Sequence, residues 1–305
     1  SVSVIGGCSG VGKSWLAIHM ALCLAMGRKL MDYFDVKQSK VLYASFELTN
    51  GQVKERLQMN RDFIGKDVSA LADHLFVVPK INTFEEQWGR IEKVLKEVDM
   101  DGGVIIIDNL YTSVEPDTNV SDNQVMAKII KKFDRLCETY NVSIVVITHH
   151  LKNVKEKNIS IDDILGSATL TRWASNIFQM KNSLIDNDLR VGMITKVRNE
   201  DCELLEIPFK LKYEHPRFIK QEIIANESVH YVEVKERWEI KLIKDMHPYL
   251  EQLGEETFNR ERLWDFLLTK EWVRGDQATE NKVTRLLKRC QDWGILRKVA
   301  HNEYK

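Results

Sequence analysis

The sequence contains no stretch able to span a bilayer. Its longest apolar runs, at residues 18–26 and 104–107, fall well short of the roughly 20 residues that a membrane helix needs. Cysteines are few: Cys8, Cys23, Cys137, Cys202 and Cys290 are far apart, odd in number and form no Cys-x-x-Cys pair. That spacing excludes a disulfide framework and a thiolate zinc site, and points to a reduced, intracellular setting. An excess of one charge is missing too, with 44 Lys+Arg against 45 Asp+Glu and a formal net charge of -1. A protein that coats nucleic acid by bulk charge is thereby excluded, whereas local basic patches are not. Repeats, low-complexity tracts and targeting signals are also lacking. What remains is 305 residues, 44% hydrophobic and 29% charged, enough for one large α/β domain and a small appendage. Because it opens on Ser1 directly before a strand-like run, the sequence reads as part of a longer chain.

Apolar, β-branched runs at residues 2–7, 41–46, 75–78, 104–107 and 142–148 predict strands, and the periodic segments 13–26, 51–63, 84–98 and 123–140 predict helices between them. Strands that are nearly all apolar and alternate with helices imply a parallel sheet covered on both faces. After Thr148 the texture changes. A polar stretch at 149–163 and a short helix at 164–174 precede strands at 176–181, 189–197, 204–212 and 218–225. The turn at 199–202 makes this edge antiparallel.

Gly7-Cys8-Ser9-Gly10-Val11-Gly12-Lys13-Ser14 matches G-x-x-x-x-G-K-[ST] between a predicted strand and a predicted helix. Glycines let successive N–H groups and the helix N-terminus face phosphates. Lys13 can reach the β- and γ-phosphates, Ser14 can ligate Mg²⁺, and Trp15 follows directly at the nucleotide. The run Val104-Ile105-Ile106-Ile107-Asp108 places a carboxylate at the C-terminal end of a buried strand, as the Walker B position requires. The next residue is Asn109, not the glutamate found there in many P-loop machines. Glu47, at the end of another strand, is the candidate to activate water; a solvated strand-end glutamate is the plain alternative.

Thr148-His149-His150 closes a further strand, where polar side chains can sense the γ-phosphate. Adjacent strand residues point to opposite faces and no third ligand stands at zinc spacing, so a metal role is discounted. Lys196 and Arg198 share one face of an edge strand in Thr195-Lys196-Val197-Arg198-Asn199. They are either a pair aimed at a phosphate or two solvated edge cations.

The last fifty residues carry eleven Lys+Arg and eight acids, leaving a net charge of -4 on residues 1–255. Helical patterns at 259–268 and 277–293 and a hairpin at 295–299 and 303–305 outline a winged helix. Lys282, Arg285, Lys288 and Arg289 fall on the polar side of the second helix, where DNA contact is expected and protein docking is the other reading. The division is a core at 1–225, a helical linker at 226–255 and a winged-helix-like domain at 256–305.

Taken together, the P-loop, Glu47, Asp108, Thr148-His149-His150 and Lys196-x-Arg198-Asn199 resemble the ATPase core of the RecA-like hexameric replicative helicases of DnaB and RepA type. The resemblance covers about residues 1–225. It implies an α/β RecA-like P-loop core with a mainly parallel sheet and antiparallel edge strands, ATP and Mg²⁺ as cofactors, and catalytic roles for Lys13, Glu47, His149 and His150. Also implied are a homo-oligomeric, hexameric ring in which Lys196 and Arg198 act on the neighbouring subunit's nucleotide, and movement along single-stranded DNA. Two segments correspond in position to DNA-tracking loops, 111–123 and 151–163; the second carries Lys152, Lys155 and Lys157, which are equally readable as solvated charges. Helicase modules of this kind can follow a primase or polymerase domain in one polypeptide. The expected setting is the cytoplasm of a bacterium or phage-infected cell.

Overall fold

A computed structural model describes residues 1–65, 68–81, 83–115, 118–151, 158–166, 168–184, 186–198, 201–224 and 227–230, then 258–259, 261–263, 265, 284, 287–288, 298–300 and 303–304. The chain divides into two compact units, Ser1–Val232 and Glu233–Lys305.

In the first unit, β1 (Val2–Gly7), β2 (Val41–Ser45), β3 (Leu75–Val78), β4 (Val104–Asp108), β5 (Ser143–His149) and β6 (Asn176–Asn182) run parallel. The strands β7 (Leu189–Val197), β8 (Phe209–Glu214) and β9 (Arg217–Ile223) continue the sheet antiparallel. The order is β3-β2-β4-β5-β1-β6-β7-β8-β9, so β1 lies inside, between β5 and β6. Strands β2 and β4 read as continuous apolar runs because helices cover both of their faces. Trp88, Ile91, Met126, Ile130 and Phe133 pack one face. Leu16, Ala17, Leu22 and Val53 pack the other. These side chains come from α5 (Phe84–Glu97) and α6 (Asn123–Tyr140) on one side, and from α1 (Lys13–Met26) and α2 (Asn50–Met59) on the other. At roughly 1.5–3 kcal/mol for each large apolar side chain buried, they hold the layers together.

Local signals set the helix ends. Asp122 accepts from the N–H groups of Gln124 and Val125 at the start of α6, and Thr49 and Gln52 form a capping box on α2. The helix expected at 51–63 is broken. Asn60 (φ −88°, ψ 6°) closes α2, its N–H bonding Leu57 O and its side chain donating to Arg56 O, and α3 (Arg61–Ile64) follows. A further helix, α4 (Val68–His74), was not expected from its mixed sequence. The helix expected at 164–174 shortens to α7 (Ala168–Trp173), because Gly166 takes φ +128° where a Cβ would lie 2.7 Å from Leu170 Cδ2. The strand expected at 204–212 begins only at Phe209: Glu206 sits at φ +57° and Pro208 has no N–H for a ladder. Likewise, the strand expected at 218–225 is Arg217–Ile223.

In the second unit, β10 (Phe258–Asn259), β11 (Lys298–Ala300) and β12 (Glu303–Tyr304) form an antiparallel sheet ordered β10-β12-β11. The helical pattern expected from Asn259 starts later, because Asn259 is in a strand and its Oδ1 accepts the Arg262 N–H at 2.9 Å. Leu263 and Leu287 are buried. Among the described residues no helix is long and apolar enough to cross a membrane.

Candidate nucleotide site

The loop between β1 and α1 is shaped by its glycines. Gly10 (φ +76°) and Gly12 (φ +103°) occupy the left-handed region. A Cβ on Gly12 would come within 2.7 Å of Phe218 Cζ, and one on Gly7 within 2.9 Å of Met180 O. Gly12 begins α1 with no side-chain cap, so amides of the first turn are left to face an anion. Ser9 and Gly10 form the exposed crest of the loop, whereas Cys8 and Val11 are buried.

Lys13 is only 7% exposed. Its Nζ donates to Gly7 O and Cys8 O, both at 2.9 Å, and stands 3.2 Å from His149 Nδ1. Burial lowers its pKa, opposed by the charges of Asp108, Cys8 and Glu47. A buried ammonium satisfied only by neutral acceptors is a strong receptor for phosphate.

Asp108 is buried at the end of β4, where burial raises its carboxyl pKa; hydrogen bonds from Tyr43 and Ser14 oppose the shift. The Tyr43 hydroxyl donates to Asp108 Oδ2 at 2.7 Å. A buried carboxylate held by two hydroxyls beside the P-loop suits a hard divalent cation. Among the described residues no group of three His, Cys, Asp or Glu could hold a metal by itself. Mg²⁺ bound by Ser14 and Asp108, with its other positions left to phosphate and water, fits that donor set.

Glu47 follows β2, its Oε1 accepting from Asn109 Nδ2 at 2.6 Å. Asn109 is itself buried, and its Nδ2 also lies 3.2 Å from His149 Nε2. The structure therefore draws Lys13, His149, Asn109 and Glu47 into one chain of contacts at the C-terminal rim of the parallel strands. His150 points elsewhere: its Nδ1 is 3.6 Å from Cys8 Sγ, and burial, then Lys181, depresses its pKa to about 4. Trp15 lies on α1 with the Arg56 guanidinium 4.5 Å over its ring and the His215 ring edge-on at 4.8 Å. That cluster offers a flat, cationic wall beside the phosphate loop.

Lys196 and Arg198 come together at the end of β7, but against the last turn of α7. Lys196 Nζ donates to Thr171 O at 2.7 Å and Arg172 O at 3.1 Å, and Arg198 Nη2 donates to Arg172 O at 2.6 Å. They do not touch the P-loop of their own chain. Lys152, Lys155, Lys157, Lys282, Arg285 and Arg289 lie outside the described residues, and Lys288 is exposed.

Four neighbours of the candidate site carry little or no signal in the sequence. Asn109 was visible only as the residue replacing a glutamate, and Tyr43 only as a polar tip in an aliphatic strand. Arg190, whose Nε donates to Val11 O at 3.2 Å, and Phe218, packed on Gly12, left no local signal.

Residues 1–156 match the family described as AAA domain. No curated protein matches the chain in sequence. Among solved structures, an ATPase domain aligns at TM-score 0.54 and 14% identity over 72% of this chain and 84% of its own. The RadB recombinase aligns at 0.50 and 17% over 72% and 90%. A KaiC-like protein of the hyperthermophilic archaeon Pyrococcus horikoshii aligns at 0.51 and 12% over 73% and 89%. Family match, sheet order and P-loop agree: the chain belongs to the AAA domain family, with the fold of the RecA-like P-loop ATPases.

Proposed function

We propose that the chain is an ATP-dependent DNA helicase motor that works as a ring, hydrolysing ATP to move along single-stranded DNA. The observation carrying this reading is the convergence of Lys13, Asp108, Glu47 and His149 on one rim of the sheet. Lys13 and the loop amides hold the phosphates, and Glu47, just beyond the end of β2, orients and deprotonates the attacking water. Mg²⁺, held by Ser14 and Asp108, would screen the phosphate charge as it builds. In the ring, Lys196 and Arg198 leave the α7 carbonyls to meet the next subunit's nucleotide, and residues 152, 155 and 157 follow the DNA backbone.

Strand displacement on a forked duplex with ATP tests the motor: released strand is expected, and hydrolysis without release sinks the reading. Mixing wild-type and Arg198→Ala subunits tests the ring. ATPase activity should fall more steeply than dilution predicts.

A second reading has an observation of its own. Because Lys196 and Arg198 are already bonded to α7 within the chain, the protein can instead be a RecA-like recombination or regulatory ATPase that binds DNA without unwinding it. The forked-duplex assay separates the two.

A further inference from the structure

The Lys13 ammonium has three N–H bonds, and three acceptors surround it: Gly7 O, Cys8 O and, at the longest distance of 3.2 Å, His149 Nδ1. An ammonium has no lone pair, so Nδ1 must supply one, and a neutral imidazole then carries its hydrogen on Nε2. Burial, then the charge of Lys13, lowers the His149 pKa and keeps the ring neutral. That Nε2 hydrogen meets Asn109 Nδ2, 3.2 Å away. The amide cannot turn round to receive it. Its Oδ1 accepts from the Thr112 N–H and hydroxyl, each at 3.2 Å, and its Nδ2 donates to Glu47 at 2.6 Å. In this arrangement two N–H groups therefore face one another between His149 and Asn109.

A phosphate entering the loop competes for Lys13, and the longest of its three bonds is the first to yield. With Nδ1 released, the ring can give its Nε2 proton to water and take one at Nδ1, with no change of charge. Nε2 then offers a lone pair to the second Asn109 amide hydrogen. The same contact becomes a hydrogen bond, and Asn109 is held from both sides.

We propose that His149 is a tautomer switch and Asn109 a positioning residue: capture of phosphate by Lys13 inverts the His149 tautomer, which locks the Asn109 amide and with it the Glu47 carboxylate. The inference deepens the ATPase reading and rests on it.

The full chain, labelled with ¹⁵N in its histidine rings, provides a readout besides activity, with His149→Gln identifying the signals. Without nucleotide His149 is expected as the Nε2–H form; with a nonhydrolysable ATP analogue and Mg²⁺ it is expected as the Nδ1–H form. Lys13→Ala should give the Nδ1–H form with no nucleotide at all. One unchanged tautomer across these states, or a doubly protonated ring, overturns the switch. Asn109→Ala should lower kcat about tenfold while KM for ATP stays within about twofold. An unchanged kcat, or a KM that rises as far as kcat falls, overturns the positioning role. Glu47→Gln is the separate control. If it hydrolyses ATP like wild type, the base assignment fails, whereas the Lys13→Ala tautomer still decides the switch.

Discussion

The two halves of the nine-stranded sheet serve the site differently. The parallel half, β3 to β6, delivers the polar groups of the candidate site: Glu47, Asp108 and His149 all emerge at or just beyond the C-terminal ends of their strands. From the antiparallel half, β7 to β9, come braces instead. Arg190 holds the Val11 carbonyl and Phe218 fills the space that only Gly12 leaves free. Parallel strands collect their C-terminal ends on one rim, so chemistry assembles there. Antiparallel strands alternate direction and reach the same loop from the side, through packing.

The sharpest way to break this contrast is Phe218→Ala. Phe218 is fully buried against Gly12 and Tyr213, and its loss should cost about 3–5 kcal/mol in denaturant unfolding and weaken ATP binding. If stability falls and ATP affinity does not, the antiparallel half merely packs. Glu47→Gln probes the parallel half. Steady-state ATPase should drop by about a hundred- to a thousandfold, roughly 3–4 kcal/mol of barrier, while binding of an ATP analogue persists.

The seam between the halves answers to pH. His19 is fully buried on α1, edge-on to Phe63 at 5.3 Å, with no hydrogen-bond partner for either ring nitrogen among the described residues. Burial, then Arg217 of β9, depresses its pKa to about 4. The folded state thus binds this proton less readily than the unfolded chain. His19 contributes its full stability above about pH 6.5 and loses it as pH falls to and below 4, about 3 kcal/mol in all. His19→Leu should flatten chemical unfolding followed over that range; part of the slope will remain, because His150 shares the shift. The smallest effect is expected from Arg190→Ala. It removes one hydrogen bond to the loop, about 1 kcal/mol, and should raise KM for ATP severalfold with kcat nearly unchanged.

The same contrast explains what the sequence made legible. Val104 to Asp108 announces itself, because a strand buried on both faces must be apolar and a carboxylate at its end stands out. The P-loop is equally plain, because its glycines and Lys13 are consecutive. Glu206 and Pro208, by contrast, moved the start of β8 by a choice of backbone angle, and Asn60 broke a helix whose polar pattern continues past it. Arg190 and Phe218 reach the P-loop across about 180 and 200 residues of chain, a distance no local pattern spans. Asn109 lay beside a recognised motif, yet its partners came from two other strands.

The segment that follows β5 has its two ends tied together. The Leu151 N–H bonds Asp163 O at 2.7 Å, His150 bridges Ile164, and the buried Lys181 ammonium grips Asp163 at 2.8 Å. Leu151 and Asp163 are therefore held side by side, and the cost of closing the chain between two such fixed points depends only weakly on its length: doubling it adds about 0.6 kcal/mol. The consequence is a natural insertion port. A glycine-serine stretch of about ten residues introduced between positions 154 and 155 should leave the unfolding midpoint almost unmoved. The register of β5 and β6 against β1 can thus stay fixed while the length of chain between positions 151 and 158 changes.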